Sequence, residues 1–247
     1  MRGWIQISVV VVIACAASAA VQAQVGVVQK MLDAVSADSL MATDAAMERA
    51  AGYYSRVAFT PGNDSSAQML LRAMKRNPAP LTVAFDTFYV YSAHAPYDAK
   101  RMYNVYGVLP GKKDPATVVV IGAHFDSYAG YESAWKTGWQ TIRAPGADDN
   151  ATGVAAVLEM ARIFTQYSSS GFSNDYTMMF VAFNCEEASE VYPWYLYGSQ
   201  HFSARLKEQG YSVAAMIALD MIGFNGRLTA DIVSDSASVP IGIEAVG

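Results

Sequence analysis

From residue 117 the chain repeats one arrangement three times: an unbroken apolar run that stops at imidazole or acidic side chains. Thr117–Ala123 runs into His124 and Asp126, Tyr176–Phe183 into Asn184-Cys185-Glu186-Glu187, and Val213–Leu219 into Asp220. Apolar runs without alternation predict strands buried on both faces, as in the parallel part of an α/β sheet. Upstream, Leu81–Tyr91 alternates in part, with Val83, Phe85, Thr87 and Tyr89 on one face, and Met102–Leu109 is closed by Pro110-Gly111. Both predict strands. Short connections among the first three strands predict an antiparallel start that leads into a parallel core.

Between these runs the apolar period becomes helical. Ser36-Ala37-Asp38-Ser39 predicts a helix start ahead of Leu40–Tyr54. Asn63 or Asp64 predicts the cap of a helix over Ser65–Arg76, which Asn77-Pro78-Ala79-Pro80 stops. Asp149 or Asn150 predicts the cap of a helix from about Ala151 to Tyr167, with Val154, Val157, Leu158, Ala161 and Phe164 on its apolar face. A last helix, Gly198–Gln209, is ended by Gly210. Residues 128–145 form an aromatic loop carrying Tyr128, Tyr131, Trp135 and Trp139; it reads equally as a packed surface loop or as a wall of a substrate cleft.

Composition adds bounds. The 247 residues, 53% hydrophobic and 16% charged, suffice for one substantial core. The net charge is −5 and no basic block exceeds Lys112-Lys113, which argues against a nucleic-acid surface. Arg2, the apolar stretch Ile5–Ala20 and the small-residue site Val21-Gln22-Ala23 predict a signal peptide over residues 1–23 and a secreted or periplasmic domain over 24–247. The stretch is too short and wrongly flanked for a stable membrane span. A second reading takes Val12-Ile13-Ala14-Cys15 as a lipoprotein site lipidated at Cys15. After cleavage Cys185 is the remaining cysteine, so stability falls to the core and to metal rather than to an internal disulfide.

The candidate chemistry sits where the apolar runs end. His124 and Asp126 are two residues apart on an extended chain and share one face. Strand ends of this kind are where α/β sheets place ligands. Asp148 and Asp149 precede the long helix, and Glu186, Glu187 and Asp220 follow the other two runs. Singly, a His-x-Asp arises by chance, Asp-Asp-Asn is a cap and Glu-Glu a solvated face. Four such clusters in a chain of low charge predict one metal site, and carboxylates with an imidazole suit Zn²⁺ or a similar divalent ion.

His124-Phe125-Asp126-Ser127, Ala144 through Gly153 (Ala-Pro-Gly-Ala-Asp-Asp-Asn-Ala-Thr-Gly), Phe183-Asn184-Cys185-Glu186-Glu187, Gly198-Ser199 and Leu219-Asp220-Met221 resemble the M28 family of zinc exopeptidases. The resemblance runs from about residue 36 to the last residue. It implies an α/β three-layer sandwich, with a mixed, largely parallel central sheet flanked by helices. It further implies an aminopeptidase acting on peptides with a free N-terminus, with two zinc ions. His124 and Asp220 would hold the first ion, Glu187 the second, and Asp149 would bridge them. Glu186 would be the general base, and Asp126 would accept the other ring N–H of His124 and fix its tautomer. Met221 becomes a candidate wall of the side-chain pocket, the alternative being a core residue. The family's second ion takes a further histidine well downstream of Asp220, whereas the last histidine here is His201. The first set is thus complete and the second is not; the sequence reads as the front part of a longer enzyme or a degraded copy, with an apolar sheet edge open to aggregation. His201 reads as structural and His94 as a loop residue. The residues from Ser189 to Tyr195 read as an insertion able to reshape the cleft. The alternatives are a glutaminyl cyclase of the same fold, similar at Leu196-Tyr197-Gly198-Ser199 and needing one zinc, and a non-catalytic binding protein that has lost the second metal site.

Overall fold

The computed structural model describes residues 25–192 and 196–223. The predicted signal peptide, Cys15, the last residues of the insertion and the chain beyond 223 lie outside the described residues. Residues 25–33 form helix α1. There follow α2 (Ala37–Glu48), α3 (Pro61–Met74), β1 (Thr82–Tyr89), β2 (Arg101–Leu109), β3 (Asp114–His124), the single turn α4 (Trp135–Gly138), α5 (Gly153–Ser168), β4 (Tyr176–Phe183), α6 (Tyr197–Glu208) and β5 (Ser212–Ala218).

The five strands lie in the order β1-β2-β4-β3-β5. β2 runs antiparallel to both its neighbours, while β3 is parallel to β4 and to β5. The antiparallel start is therefore present in the β1–β2 pair. The step from β2 to β3 differs from expectation, because β4 inserts between them. That insertion puts β3 between two parallel neighbours, which is why its run Val118–Ile121 carries no alternation.

Side chains of β3 and β4 alternate between two apolar layers. Ile121, Ala123, Phe180 and Ala182 face Met47, Leu70, Val154 and Val157 of α2, α3 and α5. Val118, Val120, Met179 and Val181 face Phe202 and Leu206 of α6. The molecule is thus the α/β three-layer sandwich, with a mixed sheet in which β2 alone is reversed. β5 exposes Val213, Met216 and Ile217 among the described residues.

Register aligns the strand ends. His124 pairs with Phe183 across β3–β4, and Gly122 pairs with Ala218 across β3–β5. The residues that follow each strand consequently emerge side by side. The start of α3 matters as well. Its N-cap is Thr60, whose Oγ1 accepts from the Asn63 N–H at 3.3 Å, with Pro61 opening the helix. The helix begins earlier than Ser65, and the Asn63 side chain is released from capping for another task.

Glu159 of α5 is buried and ties down the chain before α2. Its carboxylate accepts from the Ser36 N–H at 2.9 Å, from Ser39 Oγ at 3.1 Å and from Arg162 Nη2 at 2.6 Å. Glu159→Gln keeps the shape and removes the charge, and is expected to lower unfolding free energy by about 2 kcal/mol at neutral pH in urea titrations. Arg162 first, working against burial, then the bonds from Ser36 and Ser39, hold this carboxyl below its ordinary value of 4.5. The contribution is therefore present above pH 4.5 and lost as pH falls through the depressed value, so variant and wild type converge in acid.

Candidate metal centre

His124 closes β3 with its ring buried, and four carboxylates gather at it. Its Nε2 lies 3.0 Å from Asp149 Oδ1, 3.6 Å from Asp220 Oδ1 and 3.9 Å from Glu186 Oε2. Asp149 reaches it from an irregular turn before α5, where φ and ψ are −102° and 93°. Gly146, at φ 52°, sets that turn; a Cβ there would lie 2.3 Å from the Asp149 carbonyl oxygen. Asn150 then ties three elements together: its Oδ1 accepts from the Gly153 N–H at 3.0 Å and its Nδ2 donates to the Leu219 carbonyl at 2.8 Å. One amide thus satisfies the first N–H of α5 and holds the chain just before Asp220, while the N-cap of α5 is Thr152 rather than Asp149 or Asn150.

Glu186 and Glu187 are positioned by Asp126. That carboxylate is fully buried and accepts the Glu186 N–H at 3.1 Å and the Glu187 N–H at 3.0 Å. The bond predicted from the His124 ring to Asp126 is not formed: Nδ1 and Oδ1 stand 3.7 Å apart, beyond hydrogen-bond range. The carboxylate is committed to two backbone N–H groups instead, and His124 Nδ1 is left buried without a partner. Asn184, just upstream, exchanges two amide hydrogen bonds with Asn63, each 2.9 Å, and its backbone N–H donates to Asn104 Oδ1 at 2.9 Å.

The electrostatics are those of a cation site. Burial lowers the His124 pKa, but Asp126, Asp149 and Asp220 more than reverse this and push it up to about 12. Burial, and then Asp126, Asp149 and Glu186, push Glu187 up to about 8. Burial also raises Glu186, with Asp126, Asp220 and Asp149 adding to it and His124 opposing. Asp149 is held down by its hydrogen bond to His124. A proton on an imidazole among carboxylates marks where a metal ion would satisfy the same field.

Ligand atoms of His124, Asp149 and Asp220 lie within 4.8 Å of one another, as do those of His124, Glu186 and Glu187. The first set is the one predicted as complete, and its imidazole and carboxylates fit zinc. In the second, Glu187 groups with Glu186 and His124.

Other sequence-predicted residues fall elsewhere. A cavity of about 400 Å³ adjoins the centre, walled by Phe183, Leu196, Met216 and Leu219, with His124, Glu186 and Asp220 on its polar side. Met221 is 53% exposed with φ 46° and does not line it. Trp135 of the aromatic loop is buried against Val57 and Ala144, and Tyr131 is 98% exposed. None of that loop lines the cavity. His201 is structural, with Nε2 3.2 Å from Asp86 and its ring stacked on Phe88. His94 lies in a loop, Nδ1 3.1 Å from the Ala95 carbonyl. Sequence reasoning missed Arg56, Asn63 and Asn184. A single cation beside the apolar stretch Val57-Ala58-Phe59 was the available signal for Arg56.

Residues 104–241 match the family model described as Peptidase family M28. The chain belongs to peptidase family M28. Among curated relatives, a "Probable zinc metalloprotease" of Pyrenophora teres f. teres (strain 0-1) is 34% identical over 149 residues, 58% of this chain and 28% of that protein. "Leucine aminopeptidase 1" of Paracoccidioides brasiliensis (strain Pb03) is 31% identical over 124 residues, 50% of this chain and 28% of that protein. The M28 chain thus spans under a third of the length of these relatives. Among solved structures, a Zn-dependent exopeptidase from Parabacteroides distasonis ATCC 8503 superposes with TM-score 0.61 at 21% identity, covering 86% of this chain and 69% of that one. An Acidobacteriales bacterium glutaminyl cyclase does so with TM-score 0.61 at 21% identity, covering 84% and 64%. At such identities the likeness is one of fold.

Proposed function

We propose that this M28 chain carries the catalytic centre of an exported zinc exopeptidase, an aminopeptidase that takes peptides by their free N-terminus. The observation that carries the reading is the meeting of His124, Asp149 and Asp220, with Glu186 3.9 Å from the same imidazole nitrogen. His124, Asp149 and Asp220 would hold one zinc ion, and Asp149 with Glu187 would contribute to a second. Bound zinc supplies Lewis acidity, polarising the scissile carbonyl and acidifying a water.

The rest is the work of the chain's own side chains. Glu186, its pKa raised by burial, takes a proton from the attacking water and returns it to the leaving amine. Asp126 keeps that carboxylate in place through the two backbone bonds to Glu186 and Glu187. The excess of acidic groups around the centre attracts the substrate's ammonium group and favours amino-terminal cleavage. The apolar cavity beside Glu186 receives an aliphatic side chain. Export is supported by the pattern of Arg2, Ile5–Ala20 and Val21-Gln22-Ala23, and cleavage after Ala23 would make Gln24 the mature N-terminus.

A second reading, cyclisation of amino-terminal glutamine, is favoured by Leu196 on the cavity wall and by the set His124, Asp149 and Asp220, which suffices for one zinc ion. Purified full-length chain is expected to release a chromogenic leucine amide, to leave a glutaminyl peptide uncyclised, and to hold at least about one zinc per chain at micromolar supply. The reverse substrate preference would establish the cyclase. Less zinc than that, with neither activity, would make the chain a binding module.

A further inference from the structure

Arg56 is the bulkiest fully buried side chain among the described residues. Burying a guanidinium is costly, and such a cation persists where charge and hydrogen bonds compensate it. Its four hydrogen bonds end on backbone carbonyl oxygens, not on a carboxylate. Nε donates to Phe125 at 2.7 Å, Nη2 to Gly146 at 2.9 Å, and Nη1 to Pro145 and to Met47, the latter at 3.3 Å. Phe125 lies between His124 and Asp126, and Gly146 lies three residues before Asp149.

The backbone of Arg56 extends the same contact. Its N–H donates to Ser127 Oγ at 2.9 Å, and Ser127 Oγ donates to the Ala144 carbonyl at 2.7 Å. Its carbonyl accepts from Asn63 Nδ2 at 3.0 Å, and Asn63 is the residue paired with Asn184 ahead of Glu186. Residue 56 therefore touches, directly or through one side chain, the segments after β3, before α5 and after β4. Burial lowers its pKa to about 10, with Asp126, Asp44, Asp149 and Glu48 opposing the fall, so the group stays charged at neutral pH.

We propose that Arg56 is a positioning residue of the metal centre, its guanidinium locking the Phe125 and Pro145–Gly146 backbones so that His124 and Asp149 meet one ion. This rests on the reading of that cluster as a zinc site. A planar fork is needed because the carbonyls lie along different edges of the guanidinium; an ammonium group offers its donors from one atom.

The test uses the full chain as wild type, Arg56→Lys and Arg56→Met. Zinc affinity is measured at 25 °C by competition with a chromogenic chelator, alongside metal-free thermal melts. A purely structural role would lower both melting temperatures and leave the affinity of the folded protein unchanged. Positioning predicts that Arg56→Lys binds zinc about 10- to 100-fold more weakly while folded, and Arg56→Met at least as weakly. A folded variant with affinity within threefold of wild type overturns the proposal, and Arg56→Lys decides if Arg56→Met does not fold. Should neither fold, the residue is a determinant of folding and the proposal is equally overturned. A wild-type chain that binds no zinc would instead remove the metal-centre reading itself.

Discussion

Glu186→Gln in the full-length chain is expected to lower kcat by about 10²- to 10⁴-fold while zinc content stays at the wild-type level. Glutamine matches glutamate in size, so the cavity wall and backbone are preserved. It cannot accept a proton at neutral pH, so what is lost is proton transfer. The placement of Glu186 makes the separation clean. Its backbone N–H is held by Asp126 at 3.1 Å whatever the side chain carries, and the set His124, Asp149 and Asp220 does not include it. Burial raises its pKa from 4.5, bringing the base closer to the pH at which it works. Steady-state kinetics with metal analysis of the same preparations check the claim. A variant within a few-fold of the wild-type rate would exclude Glu186 as base. One that loses zinc would make it a ligand, consistent with its grouping beside His124 and Glu187.

The parts of this site that could be read in the sequence are those set by local pattern. β4 has the predicted limits, Tyr176–Phe183, because an apolar run ending in Asn-Cys-Glu-Glu leaves little freedom in placing its end. The ends of β3 and β5, which carry the candidate ligands His124 and Asp220, were legible for the same reason. Which strands would be neighbours was not, because the choice of β4 over β3 as partner of β2 depends on pairings distant along the chain. Side-chain commitments made across the fold were equally hidden. Asp126 follows His124 at strand spacing, which suggests a partner for the ring, yet its oxygens are taken by two N–H groups from another strand end. The pair Asn63–Asn184 joins residues 121 positions apart, and nothing local distinguishes Asn63 from a helix cap. Arg56 was passed over because an isolated arginine is ordinarily a surface residue. Met221, beside Asp220, reads in the sequence as a candidate pocket wall or a core residue, whereas it is exposed and a positive φ turns the chain there.

The order of stability of wild type and Glu187→Gln is expected to invert with zinc. Without metal, Glu187 is a half-buried carboxyl facing Asp126, Asp149 and Glu186, and its folded pKa stands at about 8 against an ordinary 4.5. A raised carboxyl pKa means that the folded state holds the proton more tightly than the unfolded one. The corresponding stability is present below pH 4.5 and is lost as pH rises toward and through 8. Near pH 8 the metal-free wild type therefore carries a penalty that the neutral amide does not. The group is partly open to solvent, which reduces the penalty to about 1–2 kcal/mol, and the variant should melt roughly 4 °C higher. Near pH 5 the metal-free melting temperatures should nearly coincide. Zinc reverses the comparison at neutral pH. An ion bound at 100 times its dissociation constant adds about 2.7 kcal/mol to the wild type. The variant, with the proposed ligand exchanged for a neutral amide, gains less. Differential scanning calorimetry with chelator and with zinc at pH 7.5, and with chelator at pH 5, gives the three comparisons. If Glu187→Gln melts below wild type in chelator at pH 7.5, the carboxylates are not in electrostatic conflict, and the field that singles out this cluster as a cation site is absent.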